Sequence, residues 1–208
     1  PEIAYARDAT IMFATDSFLR GYARAAQDFD FTALRYVFAG AEKVRAETRR
    51  EWSERFGVRV LEGYGVSECA PVVAVNTPIE NRPGSVGKLL PGIYAHIRPV
   101  DGVTRGGELV VSGANIMLGY LRADTPGELD PPPERAYATG DIVEFDADGY
   151  LHILGRAKRF AKVAGEMVSL AAVEDLAATV APESAHAAAA LPDGRKGERI
   201  VLLTESEA

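Results

Sequence analysis

Glu62-Gly63-Tyr64-Gly65-Val66-Ser67-Glu68 gathers two glycines, an aromatic ring, a hydroxyl and two carboxylates into one short stretch. The apolar, strand-like run Val58-Arg59-Val60-Leu61 leads straight into it. A strand that ends in such a turn is where an α/β protein commonly holds a ligand. Tyr64 offers a face to a planar base, and the Ser67 hydroxyl can hydrogen-bond a phosphate. The Glu68 carboxylate can hold a hard cation such as Mg²⁺. Taken alone, the segment is as readily a tight turn that carries a surface acid.

Upstream of this stretch the chain alternates between strand and helix patterns. Ala9 to Ala14 is an apolar run that predicts a buried strand. Thr15, Asp16 or Ser17 can cap a helix reaching about Ala26. Phe31 to Arg35 is a short connector, and Tyr36-Val37-Phe38-Ala39 predicts the next strand. From Ala41 to Phe56 the spacing predicts a helix, because Val44, Thr48, Trp52 and Phe56 recur every four residues with charged residues between them. Gly57 stops it as a C-cap does. Strand, helix and strand within roughly thirty residues make a βαβ unit, hence a parallel pair with a right-handed crossover. Gly40-Ala41-Glu42 and Gly63 to Glu68 then both follow the carboxyl ends of parallel strands. They share one edge of the sheet and form a cleft there.

Downstream the texture changes. Turn signals recur at Pro83-Gly84, Pro91-Gly92, Asp101-Gly102, Gly106-Gly107, Ser112-Gly113 and Asp148-Gly149. Short apolar stretches lie between them at Ala95 to Ile97, Glu108 to Val111, Ile142 to Phe145 and Tyr150 to Leu154. This predicts a β-rich region of meandering strands, with Asp130 to Pro133 as a proline-rich loop tip. Tyr137-Ala138-Thr139-Gly140-Asp141 reads as a turn ending in a carboxylate, which can accept ribose hydroxyls or be no more than a turn aspartate. From Gly155 to Lys162 four cations (Arg156, Lys158, Arg159 and Lys162) occur with no acid. In isolation that run is equally a solvated loop. Ser169 caps a predicted helix to about Val180. His186 to Leu191 and Arg199 to Thr204 predict two strands joined at Pro192-Asp193-Gly194, and a domain boundary falls near Lys158.

The bulk numbers exclude several classes. The 208 residues are 47% hydrophobic and 25% charged, a globular composition. A formal charge of -7 gives no basic nucleic-acid footprint, so any phosphate site must be local. The single cysteine, Cys69, rules out an internal disulfide framework and fits a reducing compartment. It reads as a small buried hydrophobe before it reads as a catalytic thiol. His96, His152 and His186 have no metal-ligand spacing. No apolar run approaches the roughly 18 residues of a membrane span, and the start carries no signal-peptide pattern.

Order and co-occurrence change the weight of these segments. Gly63-Tyr64-Gly65-Val66-Ser67-Glu68 matches a Tyr-Gly-x-Thr/Ser-Glu motif. Gly107-Glu108-Leu109, followed by Gly113 and Met117-Leu118-Gly119-Tyr120, matches a Gly-Glu-Leu…Gly-Tyr segment. Tyr137 with Thr139-Gly140-Asp141 matches Tyr/Arg-x-Thr-Gly-Asp. Gly155-Arg156-x-Lys158, with Lys162, Gly165-Glu166 and Val173-Glu174, matches a hinge segment. In this order they resemble the adenylate-forming superfamily of acyl-CoA and acyl-carrier-protein synthetases, peptide-synthetase adenylation domains and luciferases. Ala39-Gly40-Ala41-Glu42-Lys43, the run from Leu61 to Ala74 and Ala164 to Leu170 look most like one subfamily. In it, an acyl-acyl-carrier-protein synthetase is joined to a 2-acylglycerophosphoethanolamine acyltransferase. Ala41-Glu42-Lys43 departs from the Ala-Pro-Leu common among acyl-CoA synthetases, and a long-chain fatty acid–CoA ligase is the alternative.

The resemblance implies an α/β adenylate-forming fold: residues 1–83 as the α/β-sheet part of the large AMP-binding domain, 84–157 as its β-rich subdomain, and 158–208 as the start of a truncated, mobile α+β C-terminal domain. It implies ATP and Mg²⁺ as cofactors, with a fatty acid and an acyl carrier protein or CoA as partners. The product would feed lysophospholipid reacylation. Residue by residue, Tyr64 would stack on adenine, with Gly63 and Gly65 beside it, and Ser67 would bind phosphate. Glu68 would coordinate Mg²⁺, and Asp141 would take the ribose hydroxyls, aided by Arg156. Gly40 and Ala41 would line the adenine and acyl pocket, Lys158 would be the hinge, and Gly165 would face the pantetheine channel, where a side chain would obstruct the arm. The family's phosphate loop is expected before Pro1 and its catalytic lysine after Ala208, so the piece alone is expected not to form acyl-adenylate. A cytoplasmic location is implied as well, with the inner face of a bacterial membrane as an alternative reached through parts outside the segment. A nucleotide-binding pseudoenzyme or a carrier-protein docking module is the non-enzyme alternative.

Overall fold

The apolar runs between the turn signals form strands, and the amphipathic runs form the helices that cover them. The computed structural model describes residues 1–205. The chain separates into two compact units. The first holds Pro1–Tyr94, Val111–Tyr137 and Phe145–His152; the second holds Ala95–Val110, Ala138–Glu144 and the residues from Ile153 onward.

In the first unit a short helix α1 (Glu2–Ala6) precedes β1 (Ile11–Ala14), α2 (Asp16–Ala25), β2 (Tyr36–Ala39), α3 (Ala46–Phe56), β3 (Val60–Gly65), β4 (Val72–Val75) and β5 (Lys88–Leu89). The five strands form one sheet in the order β1-β2-β3-β4-β5. As the βαβ pattern predicts, β1 with β2 and β2 with β3 are parallel, whereas β4 and β5 run antiparallel. Val37 and Ala39 point to the helices and are fully buried with Leu19, Phe31 and Trp52. The Trp52 ring stacks on Phe31 with centroids 4.9 Å apart, and its Nε1 donates to Leu19 O at 3.2 Å. Ile11, Phe13 and Tyr36 alternate to the opposite face and are exposed, so β1 is a strand but not the buried one its apolar run predicted.

Two boundaries in this unit differ from the sequence pattern. Helix α3 begins at Ala46 rather than Ala41. Ala41 sits at φ 66, outside the helical region, and Glu42 is held by Ser17, whose N and Oγ donate to Glu42 Oε2 at 2.9 and 2.7 Å. Val44 fills the core from a loop, so its four-residue spacing to Thr48 is coincidental. Strand β3 also runs past Leu61 to Gly65, because Gly63 and Tyr64 pair with Val75 and Ala74 of β4. The motif is therefore a strand end followed by a 3₁₀ turn, Ser67–Cys69, rather than one turn. Gly57 caps α3 at φ 67, and Thr15 caps α2 by accepting Phe18 N at 3.4 Å.

The β-rich stretch holds β6 (Ile93–Arg98), β7 (Gly107–Gly113), the short pair β8 (Tyr120–Leu121) and β9 (Leu129–Asp130), β10 (Ala136–Phe145) and β11 (Leu151–Arg156). Sheet order β11-β10-β7-β6 confirms the meander. Tyr137 to Asp141 is part of β10 and not the expected turn; only Gly140, at φ 74, breaks the extended backbone.

In the second unit β12 (Phe160–Val163), β13 (Glu166–Ser169), α4 (Leu170–Val180), β14 (His186–Asp193) and β15 (Gly197–Thr204) follow. Ser169 caps α4 by accepting Ala172 N at 3.3 Å, as predicted. The β14–β15 turn falls slightly later than Pro192-Asp193-Gly194: Asp193 Oδ1 accepts the N–H groups of Arg195 and Lys196, both at 2.9 Å. The basic Gly155 to Lys162 run is not a loop; it ends β11, turns at Ala157–Arg159 and enters β12. Among the described residues no helix is long and apolar enough to cross a membrane.

Candidate functional site

A cleft of about 570 Å³ opens at the carboxyl ends of β1, β2 and β3. Gly40 and Ala41 come from the loop after β2, and Gly63, Tyr64, Gly65 and Ser67 from β3 and the turn beyond. All six were singled out in the sequence, and the parallel register of β2 and β3 brings them together. Phe13, Phe18, Phe38, Val72 and Val75 supply an apolar wall, with Phe13 stacked on Phe38 at 5.4 Å. The volume suits a small organic ligand, and one polar end beside an apolar wall suits a molecule with both characters.

Two devices hold the cleft's loops. The Glu42–Ser17 bonds tie the Ala41 loop to the start of α2, and Ser17, by its side chain and then its backbone, holds the Glu42 carboxyl below its ordinary value. Behind β3, the buried Glu62 accepts Arg49 Nη1 at 2.7 Å. Burial pushes the Glu62 carboxyl up, with Arg49 opposing. Glu62 is thus a structural carboxylate under the site. At Tyr64–Gly65 the ladder with β4 shifts register, a β-bulge, and Val66 N donates to Pro71 O at 2.9 Å.

Glu68 lies in the 3₁₀ turn just past the cleft-lining Ser67. The Tyr120 hydroxyl donates to Glu68 Oε1 at 2.7 Å, and the Tyr137 hydroxyl is 3.3 Å from that of Tyr120. Burial pushes the Tyr137 phenol well above its ordinary value, with Tyr120 and Glu68 adding to it. Sequence reasoning assigned Tyr120 no role. It stood inside a quoted motif, but the 52-residue separation from Glu68 hid the contact. Among the described residues no group of three or more His, Cys, Asp or Glu side chains is placed to hold a metal. The Glu68 carboxylate, next to the cleft-lining Ser67, is an oxygen donor of the kind Mg²⁺ takes together with several waters and substrate phosphates. Cys69 is fully buried, and burial, then Glu68, pushes its thiol up to about 11. It is no thiolate nucleophile at neutral pH.

The remaining predicted residues lie in the second unit. Asp141 is 3% exposed and pairs with Arg156 Nε at 3.1 Å. Thr139 Oγ1 accepts Asp141 N at 3.1 Å and donates to Leu109 O at 3.0 Å, which fixes the backbone there. Lys158 sits in the turn between β11 and β12. Gly165, with Ala164, makes the two-residue turn between β12 and β13 at φ 95 and 53. A Cβ at Gly165 meets no protein atom within 4 Å, and its φ of 95 is itself a backbone conformation that favours glycine.

Residues 4–121 match the family described as AMP-binding enzyme. The chain belongs to this family. It is 35% identical over 182 residues to the long-chain-fatty-acid–CoA ligase of Salmonella typhimurium, covering 85% of this chain and 32% of that protein. Identity to the Yersinia pestis long-chain-fatty-acid–CoA ligase is 32% over 185 residues, 86% of this chain and 33% of the other. The chain thus spans about a third of the length of these relatives. The crystal structure of ATP-bound MatB from Rhodopseudomonas palustris superposes with a TM-score of 0.80 at 27% identity, over 97% of this chain and 41% of that one. The fold is that of adenylate-forming enzymes.

Proposed function

We propose that the chain is part of an AMP-forming acid–thiol ligase that activates a fatty acid as acyl-adenylate and passes the acyl group to a phosphopantetheine thiol. The observation that carries this is the cleft itself: Gly40, Ala41, Gly63, Tyr64, Gly65 and Ser67 on one wall, with Glu68 immediately beyond. The apolar wall of Phe13, Phe18 and Phe38 suits an acyl chain.

In the first half-reaction the fatty-acid carboxylate attacks the α-phosphate of ATP and pyrophosphate leaves. A weak nucleophile meets an anionic target, so the protein's part is alignment and charge stabilisation. Tyr64 stacks on adenine, and Gly40 and Ala41 leave room for the flat base. The Ser67 hydroxyl donates to phosphate, and Asp141, paired with Arg156, accepts the ribose hydroxyls. Glu68 is the residue to hold Mg²⁺, which would neutralise phosphate charge when bound. In the second half-reaction the thiol attacks the acyl carbon and AMP leaves. Lys158 serves as the hinge between the two, and Gly165 faces the pantetheine arm.

The acceptor divides two readings. Ala41-Glu42-Lys43 favours an acyl carrier protein, and with it a product destined for lysophospholipid reacylation at the cytoplasmic membrane face. The identity to long-chain-fatty-acid–CoA ligases favours CoA. Thioester formation with holo-carrier protein against CoA decides between them. The Glu68→Ala variant of the full-length protein should lose fatty-acid-dependent ATP–pyrophosphate exchange by about a hundredfold or more while carrier binding persists. Unchanged exchange would rule out the Glu68 role and favour a docking module or pseudoenzyme.

A further inference from the structure

The Gly113-to-Tyr120 segment is a motif to which the proposed chemistry gives no work. In the structure it wraps the turn that carries Glu68. Asn115 Nδ2 donates to Cys69 O at 2.8 Å, Met117 N donates to Glu68 O at 2.9 Å, and the Tyr120 hydroxyl donates to Glu68 Oε1 at 2.7 Å. Two of these bonds fix consecutive backbone carbonyls, Glu68 O and Cys69 O, and the third holds the side chain. Asn115, Tyr120 and Tyr137 lie in the same compact unit as Glu68.

We propose that Tyr120 is a positioning residue for Glu68, with Tyr137 as its support. A glutamate on a 3₁₀ turn has three side-chain torsions to lose before it can meet a ligand in one geometry. A directional bond from Tyr120 to one carboxylate oxygen sets the plane of the group in advance, which is how a supporting residue raises the affinity of the one that touches the ligand. The Tyr137 hydroxyl lies 3.3 Å from that of Tyr120 and hydrogen-bonds the same carboxylate, so it supports the arrangement from a second side. Loss of Tyr120 therefore loosens the Glu68 carboxylate without removing it.

This inference rests on Glu68 being the metal-holding carboxylate, so the experiment separates the two. In the full-length protein, Mn²⁺ binding in the presence of a non-hydrolysable ATP analogue is titrated by electron paramagnetic resonance, beside the Mg²⁺ dependence of ATP–pyrophosphate exchange. Tyr120→Phe should weaken Mn²⁺ binding and raise the Mg²⁺ requirement by about tenfold, the effect of one hydrogen bond to a charged group, with near-normal exchange at saturating Mg²⁺. Its melting temperature should stay that of the parent. Tyr137→Phe should shift both metal readouts in the same direction by less. In a Glu68→Ala background Tyr120→Phe should add nothing, because it acts through Glu68. If Tyr120→Phe leaves Mn²⁺ binding unchanged while Glu68→Ala lowers it, the positioning role is overturned and the Glu68 assignment stands. If Glu68→Ala leaves Mn²⁺ binding unchanged, both fall.

Discussion

Gly65 shows how closely chemistry and backbone are joined at the residue scale. A Cβ built there lies 2.1 Å from Pro71 O and 2.7 Å from Pro71 C. Both are backbone atoms held by the Val66 N–H bond to Pro71 O, so neither can swing aside. The glycine lets β3 bulge against β4 and deliver Ser67 and Glu68 beyond the sheet edge. Gly65→Ala should destabilise the protein by about 2 kcal/mol or more, as overpacking against fixed atoms does. Gly40→Ala is the contrast, because its Cβ meets only Gly63 O at an ordinary 3.4 Å. It should stay within about 0.5 kcal/mol of the parent. Urea denaturation of both variants compares them directly, and equal losses would show that the bulge is not the sensitive point.

At the scale of elements, the Arg49–Glu62 pair joins α3 to β3 beneath the cleft. Arg49 Nη1 also donates to Val44 O at 2.8 Å, and Glu62 Oε1 accepts Gly84 N at 3.4 Å, so the pair anchors two loops as well. Arg49→Ala leaves a buried carboxylate without its cation and should cost about 3 kcal/mol at neutral pH. The pH dependence follows from the raised carboxyl of folded Glu62. A carboxyl held higher in the folded state contributes stability below its unfolded value of 4.5, and that contribution is lost as pH rises through the folded value. Removing Arg49 takes away the cation that opposes the rise. The deficit relative to the parent should therefore be small near pH 4.5 and grow to its full size above the folded value. Equal deficits at both ends would show that Arg49 acts through packing alone.

The elements were legible in the sequence wherever one physical pattern governed them. Gly57, Ser169 and the apolar runs of β1 and β2 were readable because caps and strand patterns are local. The start of α3 was not: Ala41 to Arg45 has helical composition, but Ser17, some 25 residues away, holds Glu42 outside the helix. β3 looked finished at Leu61 because Gly63 and Gly65 are turn residues by composition, and only pairing with β4 makes them strand. Six cleft-lining residues were legible because they sit at two strand ends whose parallel order the βαβ pattern fixes. The Tyr120–Glu68 contact was not, since no periodicity relates a turn to a strand that follows it after a whole sheet edge.

At the scale of the whole molecule, the proposed chemistry asks one chain to run two half-reactions on one bound nucleotide. The turn Ala157–Arg159 is short, exposed in part, and flanked by the extended residues Arg156 (φ -102) and Phe160 (φ -112). A few residues at an element's end can absorb a backbone rotation of this kind. If Lys158 is the hinge, what matters is its freedom to change φ, not its charge. Lys158→Pro fixes φ near about -65° and removes one N–H, so it should hold the chain in one of its two arrangements. Lys158→Ala keeps the freedom and removes only the charge. In the full-length protein, Lys158→Pro should keep fatty-acid-dependent pyrophosphate exchange within about threefold while thioester formation falls at least about tenfold, a loss of more than about 1.4 kcal/mol confined to one half-reaction. Lys158→Ala should reduce neither by more than about threefold on the same scale. Equal losses of both half-reactions in Lys158→Pro would mark the residue as a structural part of the β11–β12 connection, and a selective loss in Lys158→Ala would move its role from backbone rotation to charge.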